Sequence, residues 1–246
     1  MRDVGDLKVQ HKCDQCEFRD HTFFCDLRES TIRIIQSLKI TNAYPKGSTL
    51  YMQGQPTNGV YVLCQGKVKL STSSKDGKVV ILHIAEPGQI LGLSSAVSKS
   101  PHLASADVVE PCQVNFIRNS DFLNFLETNP EACVAAVKQL SRNYQTAYLQ
   151  ICSLGLSSSV ADKLAMFFLS YCDTAVGDHN GAHVKIPYTH KEIAQMIGTS
   201  RETVTRLLKD FKDRNLITIK GSDVYIHDKD ELEASIGTRP GSGSDL

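Results

Sequence analysis

The stretch IAQMIGTSRETVTRLLKDFKDRNLI, residues 193–217, constrains this chain more than any other, because two helical patterns meet there at one glycine. Thr189 with Glu192 three residues on has the spacing of a capping box, so a helix starts there and carries Ile193 and Ile197 inward. Gly198 ends it, since glycine takes the left-handed backbone of a helix terminus at no steric cost. Ser200 can cap a second helix. In that helix Val204, Leu207, Leu208 and Phe211 recur at i, i+3, i+4 and i+7, one apolar stripe. Arg201, Glu202, Thr205, Arg206 and Lys209 fall on the opposite side, and the question is what they face.

Water is the bland destination, and side-chain chemistry supplies the alternative. Arginine offers a fork of donors that matches O6 and N7 of guanine, and a carboxylate can accept from the exocyclic amine of cytosine. Phosphate repels a glutamate, so Glu202 between arginines fits base reading better than backbone binding. Arg201 and Glu202 occupy the first turn, where a recognition helix makes its base contacts. Thr205 and Arg206 follow on the same face, and Lys209 extends it towards the phosphates. Downstream, NLITIKGSDVYIHD reads as two short strands joined by a glycine turn, a β wing with Lys220 placed for backbone contact. The candidate DNA-contacting set is therefore Thr189, Ser200, Arg201, Glu202, Thr205, Arg206, Lys209 and Lys220, with double-stranded DNA as the partner.

Charge distribution agrees. Basic and acidic residues both number 27 over the 246 residues, so the whole chain favours no partner. From Lys185 to Gly221, however, eight basic residues stand against four acidic ones, leaving the rest of the chain acidic. A basic C-terminal module fits an anionic partner for that module alone.

Upstream, residues 40 to 116 read as β structure, with GVYVLCQGKVKLSTSS and GKVVILHIAEPGQILG punctuated by glycine turns, as in a sandwich or jelly roll. Short helices are predicted near Ser30 to Leu38 and Ser120 to Leu126, and a long one from about Pro130. In the long helix Val137, Leu140, Tyr144, Ala147, Ile151 and Leu154 alternate by three and four, the seam of a coiled coil, which predicts pairing with a second copy of the chain, the alternative being a core helix packed on its own β domain. Gly155 and the serines after it read as a hinge, and a polar loop, DTAVGDHNGAH, leads into the basic module. The fold class is α+β, with boundaries at 1–28 for a cysteine-bearing leader, 29–128 for a β roll, 129–156 for the dimerisation helix, 157–236 for a winged helix-turn-helix and 237–246 for a disordered tail. No apolar run approaches the ~20 residues of a membrane span, and MRDVGDLKVQ lacks the apolar stretch of an export signal, so the expected address is the cytoplasm, without membrane. Nothing has the spacing of a nucleophile, a base and an orienting group, and no enzyme is expected.

TSRETVTRLLKDFKDRNLI, taken with the β region and the long helix, resembles the cyclic-AMP receptor protein and FNR superfamily of bacterial transcription regulators, from about Cys13 to Asp230. The resemblance implies a cyclic-nucleotide-binding-like β roll as sensor, a dimerisation helix, a winged helix-turn-helix and RNA polymerase as a partner. Arg201, Glu202 and Arg206 match the base-reading R-E-x-x-x-R of the cyclic-AMP receptor protein, which implies a palindromic TGTGA-like operator. FNR proteins share the glutamate and the second arginine but not Arg201.

The sensor departs from the cyclic-AMP pattern. In those receptors a glutamate follows the second glycine of P-G-x-x-x-G, and an Arg-Ser pair lies shortly after. Here Leu93 takes the glutamate position, and His102 and Leu103 align with the pair. A buried phosphate would lack its bidentate, charge-assisted partner, which argues against cyclic AMP. Cysteines offer another input. KCDQCEFRDHTFFCDL contains Cys13, Cys16 and Cys25, and Cys112 falls where FNR proteins have a distant fourth ligand, so the resemblance implies a [4Fe-4S] cluster on four thiolates. The gap between Cys16 and Cys25 is longer than in the FNR pattern. Zinc, a thiol switch, or buried cysteines without metal are the alternatives, and a redox or metal-binding protein whose basic module contacts protein or RNA is the competing overall reading. Cys64, in alternation with Val60 and Val62, reads as a strand core residue.

Overall fold

The computed structural model describes residues 7–13, 16, 26–156, 159–172 and 181–234. The chain divides into two compact units, Met1–Thr146 and Ala147–Leu246. Cys25 and the C-terminal tail lie outside the described residues.

The first unit is a β roll. After α1 (Glu29–Leu38) come β1 (Ile40–Tyr44), β2 (Thr49–Tyr51), β3 (Gly59–Ser73), β4 (Val79–Ala85) and β5 (Ile90–Leu91). Then follow α2 (Leu93–Ser98), β6 (Ser105–Arg118), α3 (Asn119–Thr128) and the start of α4 (Pro130–Leu156). The sheet order is β1-β6-β3-β4, with β2 also on β6 and β5 also on β3. β3 and β6, at 15 and 14 residues, pair antiparallel along most of their length. Their register shifts at several points, and such bulges bend a long ribbon into a roll. At one of them Gly66 has φ +81, and an added Cβ would sit 2.2 Å from the carbonyl oxygen of Pro111, so two backbones meet there in a way only glycine permits.

One core of the unit joins Ile32 and Ile35 of α1 to Val60, Leu93, Ile117, Phe122 and Phe125, and to Ala132, Ala135 and Ala136 at the start of α4. The small alanines let that helix approach closely. Gln139, buried, both donates to and accepts from the backbone of Ile90, at 2.8 and 2.9 Å. These two hydrogen bonds satisfy an amide that burial would otherwise penalise by roughly 1–3 kcal/mol.

The second unit holds α5 (Val160–Cys172), β7 (Ala182–Lys185), α6 (His190–Ile197), α7 (Arg201–Asp213), β8 (Ile217–Lys220), β9 (Asp223–Ile226) and α8 (Lys229–Ala234). Its sheet runs β7-β9-β8. Leu164, Phe168, Ile193, Ile197, Val204, Leu208, Phe211, Leu216, Val224 and Ile226 are buried, so the apolar stripes of α6 and α7 do turn inward.

Several elements differ from the sequence reading. A helix, α2, interrupts the stretch read as wholly β. β7 begins within the stretch read as a polar loop, whose residues 173–180 lie outside the described ones, with Ala182 and Val184 in and His183 and Lys185 out, an alternation too short to stand out beside a polar run. α4 continues through Gly155 to Leu156, and Ser157 and Ser158, the serines of the expected hinge, lie outside the described residues. One glycine costs a helix about 1 kcal/mol, too little to end one of 27 residues. No helix among the described residues is long and apolar enough to cross a membrane.

Candidate nucleic-acid interface

Two caps fix the helix pair. The Thr189 hydroxyl accepts from the Glu192 amide at 3.2 Å, while the Glu192 carboxylate accepts from the Thr189 amide at 2.8 Å, so the capping box is complete. Gly198, at φ 69, closes α6 with its amide on the Ala194 carbonyl. Ser200 then accepts from the Thr203 amide at 3.2 Å and starts α7. Thr189 and Ser200 stay exposed, but their hydroxyls are engaged in shaping the helix ends.

The remaining polar residues stand on an open face. Arg201, Glu202, Thr205, Arg206 and Lys209 are all exposed, while Val204, Leu208 and Phe211 one step round the helix are buried. Among the described residues, neither arginine nor Lys209 has an acidic side chain within ion-pair distance; the pair on this helix is Arg214 with Asp210, at 3.7 Å. The Glu202 carboxyl is held below its ordinary value, first by its own backbone amide, then by the Ser200 hydroxyl, and least by Arg201. It is therefore ionised and able only to accept. Lys220, at the end of β8, is exposed with its ammonium 5.9 Å from the centre of the Tyr225 ring. His183 stacks on the same ring at 4.6 Å and meets Asp223 at 2.9 Å, which stiffens the wing. Sequence reasoning missed His190: its Nδ1 lies 2.9 Å from the Thr205 hydroxyl. Its position directly after the Thr189 cap was the available signal.

The roll presents different chemistry. Gly92, at φ 78, precedes α2, and Leu93 is buried in the core described above. His102 is buried and stacked on Tyr51 with ring centroids 3.9 Å apart; a Cβ on Gly92 would lie 3.1 Å from the histidine ring. Burial lowers the pKa of His102, and Tyr51 hydrogen-bonds the Gly92 backbone. Leu103 is 70% exposed. The positions that carry a carboxylate and a guanidinium in cyclic-AMP receptors thus hold a core leucine, an aromatic stack and a solvent-facing leucine.

Among the described residues Cys112 is not brought to Cys13 and Cys16 as the resemblance implied, and Cys25 lies outside them. Cys112 is fully buried in the roll core with Leu63, Val68 and Val114, and burial pushes its thiol up to about 12. Its neighbours Gln113 and Asn115 alternate to the other face of β6 and meet the leader. Gln113 exchanges hydrogen bonds with Gln10 at 2.6 and 2.7 Å, and the Asn115 amide reaches Cys64 at 3.1 Å and Cys13 at 4.0 Å. Cys13 donates its amide to Gln36 and accepts the amide of Cys16. The roll thiol on the leader's side is consequently Cys64, half-buried there. Among the described residues no three His, Cys, Asp or Glu side chains are placed to hold a metal ion.

Along α4, Val137, Tyr144, Ala147 and Ile151 are exposed, with Tyr144 at 71% and Ile151 at 69%. Leu140 packs against the roll core instead, and the side chain of Leu154 lies outside the described residues. Val134 and Tyr148 join the exposed set.

A β roll followed by a capped helix pair and a wing defines a transcription regulator that binds DNA. Residues 41–129 match the cyclic nucleotide-binding domain, and residues 162–235 the Crp-like helix-turn-helix domain. The chain is 30% identical over 188 residues to the cAMP-activated global transcriptional regulator CRP of Pasteurella multocida, covering 75% of this chain and 88% of that one. It is 27% identical over 191 residues to the CRP-like cAMP-activated global transcriptional regulator of Mycobacterium tuberculosis, covering 77% and 84%. In fold it is similar to a CooA mutant from Carboxydothermus hydrogenoformans, with a TM-score of 0.74 at 20% identity, over 95% of this chain and 97% of that one. The chain belongs to the Crp/Fnr family of transcription regulators, which are not enzymes.

Proposed function

We propose that the protein is a homodimer that reads a palindromic, TGTGA-like operator. Arg201, Glu202 and Arg206 meet base edges, and Lys209 and Lys220 meet phosphates. The observation that carries this reading is the exposed face of α7, where among the described residues Arg201 and Arg206 have no ion-pair partner, beside an ionised Glu202 and over a stripe in which Val204, Leu208 and Phe211 are buried and Leu207 half-buried. A folded domain that leaves such a fork of donors uncompensated has it available for a planar, acceptor-rich edge. The exposed valine, tyrosine and isoleucine side chains of α4 support pairing of two copies. Pairing would present two α7 helices to successive major grooves about 34 Å apart. RNA polymerase is the further partner expected of such a regulator.

The regulators of Pasteurella multocida and Mycobacterium tuberculosis named above are described as activated by cAMP. For this chain we read the input differently, because Leu93, His102 and Leu103 supply no charge to hold a phosphate. The described residues do not fit a four-thiolate cage for [4Fe-4S] either: Cys112 is a neutral thiol inside the roll, on the opposite face of β6 from Cys13.

Binding of the purified chain to a palindromic duplex and to its scrambled counterpart tests the reading, together with sedimentation of Ile151→Glu. Preference for the palindrome and dissociation of the variant to monomers are expected. Equal affinity for both duplexes would overturn operator recognition.

A further inference from the structure

A hydrogen bond between α6 and α7 limits what Thr205 can offer a base. Its hydroxyl donates to the Arg201 carbonyl one turn earlier, at 3.0 Å. The same oxygen lies 2.9 Å from Nδ1 of His190, the first residue of α6. A hydroxyl owns one proton and two lone pairs. With the proton on the Arg201 carbonyl, the oxygen accepts from His190, whose ring must then carry a hydrogen on Nδ1. Thr205 is left with no proton for the acceptors that dominate the major groove: N7 and O6 of guanine, N7 of adenine and O4 of thymine. Yet the residue is exposed, on the face that carries Arg201, Glu202 and Arg206. What it still offers is a second lone pair and a methyl group, and the one apolar feature of a base edge that the methyl can meet in that groove is the C5-methyl of thymine.

We infer that His190 is a positioning residue for operator reading: by holding the Thr205 hydroxyl against α7, it makes Thr205 a reader of thymine through methyl-to-methyl contact. The inference rests on the proposed reading of DNA by α7 and adds to it a base class and a residue of α6. Serine at position 205 keeps both hydrogen bonds and loses the contact. Valine keeps the methyl and loses the hydrogen bonds.

The test replaces each thymine of a preferred duplex singly with deoxyuridine, which removes only the C5-methyl. For the wild type, one thymine in each half-site shows a loss of about fourfold in affinity, the size of one methyl group returned to water. At that position the penalty vanishes in Thr205→Ser, which keeps both hydrogen bonds without the methyl, and shrinks in Thr205→Val, which keeps the methyl without the hold. His190→Ala shrinks it, and His190→Asn, whose amide N–H replaces Nδ1–H, restores it, with the thermal midpoint of every variant unchanged. A penalty that survives Thr205→Ser, or that ignores His190→Ala, overturns the inference. The guanine preference assigned to Arg201 is measured on the same duplexes. If it is retained while the uracil effect is absent, only this inference falls; if no base preference exists at all, the operator reading falls with it.

Discussion

The β roll and the winged module share one chain but differ in what they have kept of their family's chemistry. In the roll the scaffold persists, down to the glycine that opens α2, while the charged positions that would grip a phosphate have become Leu93, His102 and Leu103. In the module the scaffold and the charged face persist together, with Arg201, Glu202 and Arg206 exposed on α7. On the reading proposed above, the chain carries its family's fold throughout and offers a ligand charged partners in the module but not in the roll. A buried leucine at position 93 contributes to stability at the same place where a glutamate would contribute to binding, and the two uses exclude each other.

Variants can separate stability from recognition in the module, and the largest effect belongs to stability. Phe211→Ala removes a fully buried ring and should cost about 3–5 kcal/mol in denaturant unfolding. Arg201→Ala should leave unfolding unchanged within about 0.5 kcal/mol and yet cost ~1–3 kcal/mol of affinity on the preferred duplex, relaxing the preference at one guanine. In the roll, Gly66→Ala forces a Cβ against the Pro111 carbonyl at a positive φ, and a loss of about 1–3 kcal/mol is expected in thermal unfolding, with no change in base preference. Ser200→Ala should cost ~1 kcal/mol of stability through the lost cap, and a larger effect on DNA than on folding would show that the hydroxyl also contacts the duplex. The smallest effect is the one that would break the comparison. Cyclic AMP added to the protein is expected to leave its thermal midpoint where it was. A ligand at a hundredfold excess over its Kd would instead stabilise by about 2.7 kcal/mol, and a shift of that size would show that the roll has kept its ligand by other means.

Much of the module was legible in the sequence because its signals are local. A capping box spans four residues, a glycine terminus one, and an apolar stripe two turns, so Thr189, Gly198, Ser200 and Val204 to Phe211 could each be read without knowing the fold. The roll's strands were visible as a region, but α2 was not, since in six residues the i, i+3 spacing of Leu93 and Ala96 is too brief to stand out from the β pattern around it. The cysteines show where spacing fails. C-x2-C and a distant fourth cysteine match a ligand pattern in one dimension, yet which face of β6 each side chain takes depends on strand register. That register sends Cys112 into the core and leaves Asn115 beside Cys13 and Cys64. The His190–Thr205 bond was likewise out of reach, because it joins residues 15 apart across a turn whose angle only the packed helices define.

The most direct measurement is selection of bound sequences from random duplex DNA by the wild type and by Arg201→Ala. The wild type should enrich an inverted repeat with half-site centres about one helical turn apart, and Arg201→Ala should enrich the same repeat with one guanine in each half-site no longer specified. Recovery of no common sequence, or of an identical sequence by both proteins, would contradict the assignment of the α7 face to base recognition.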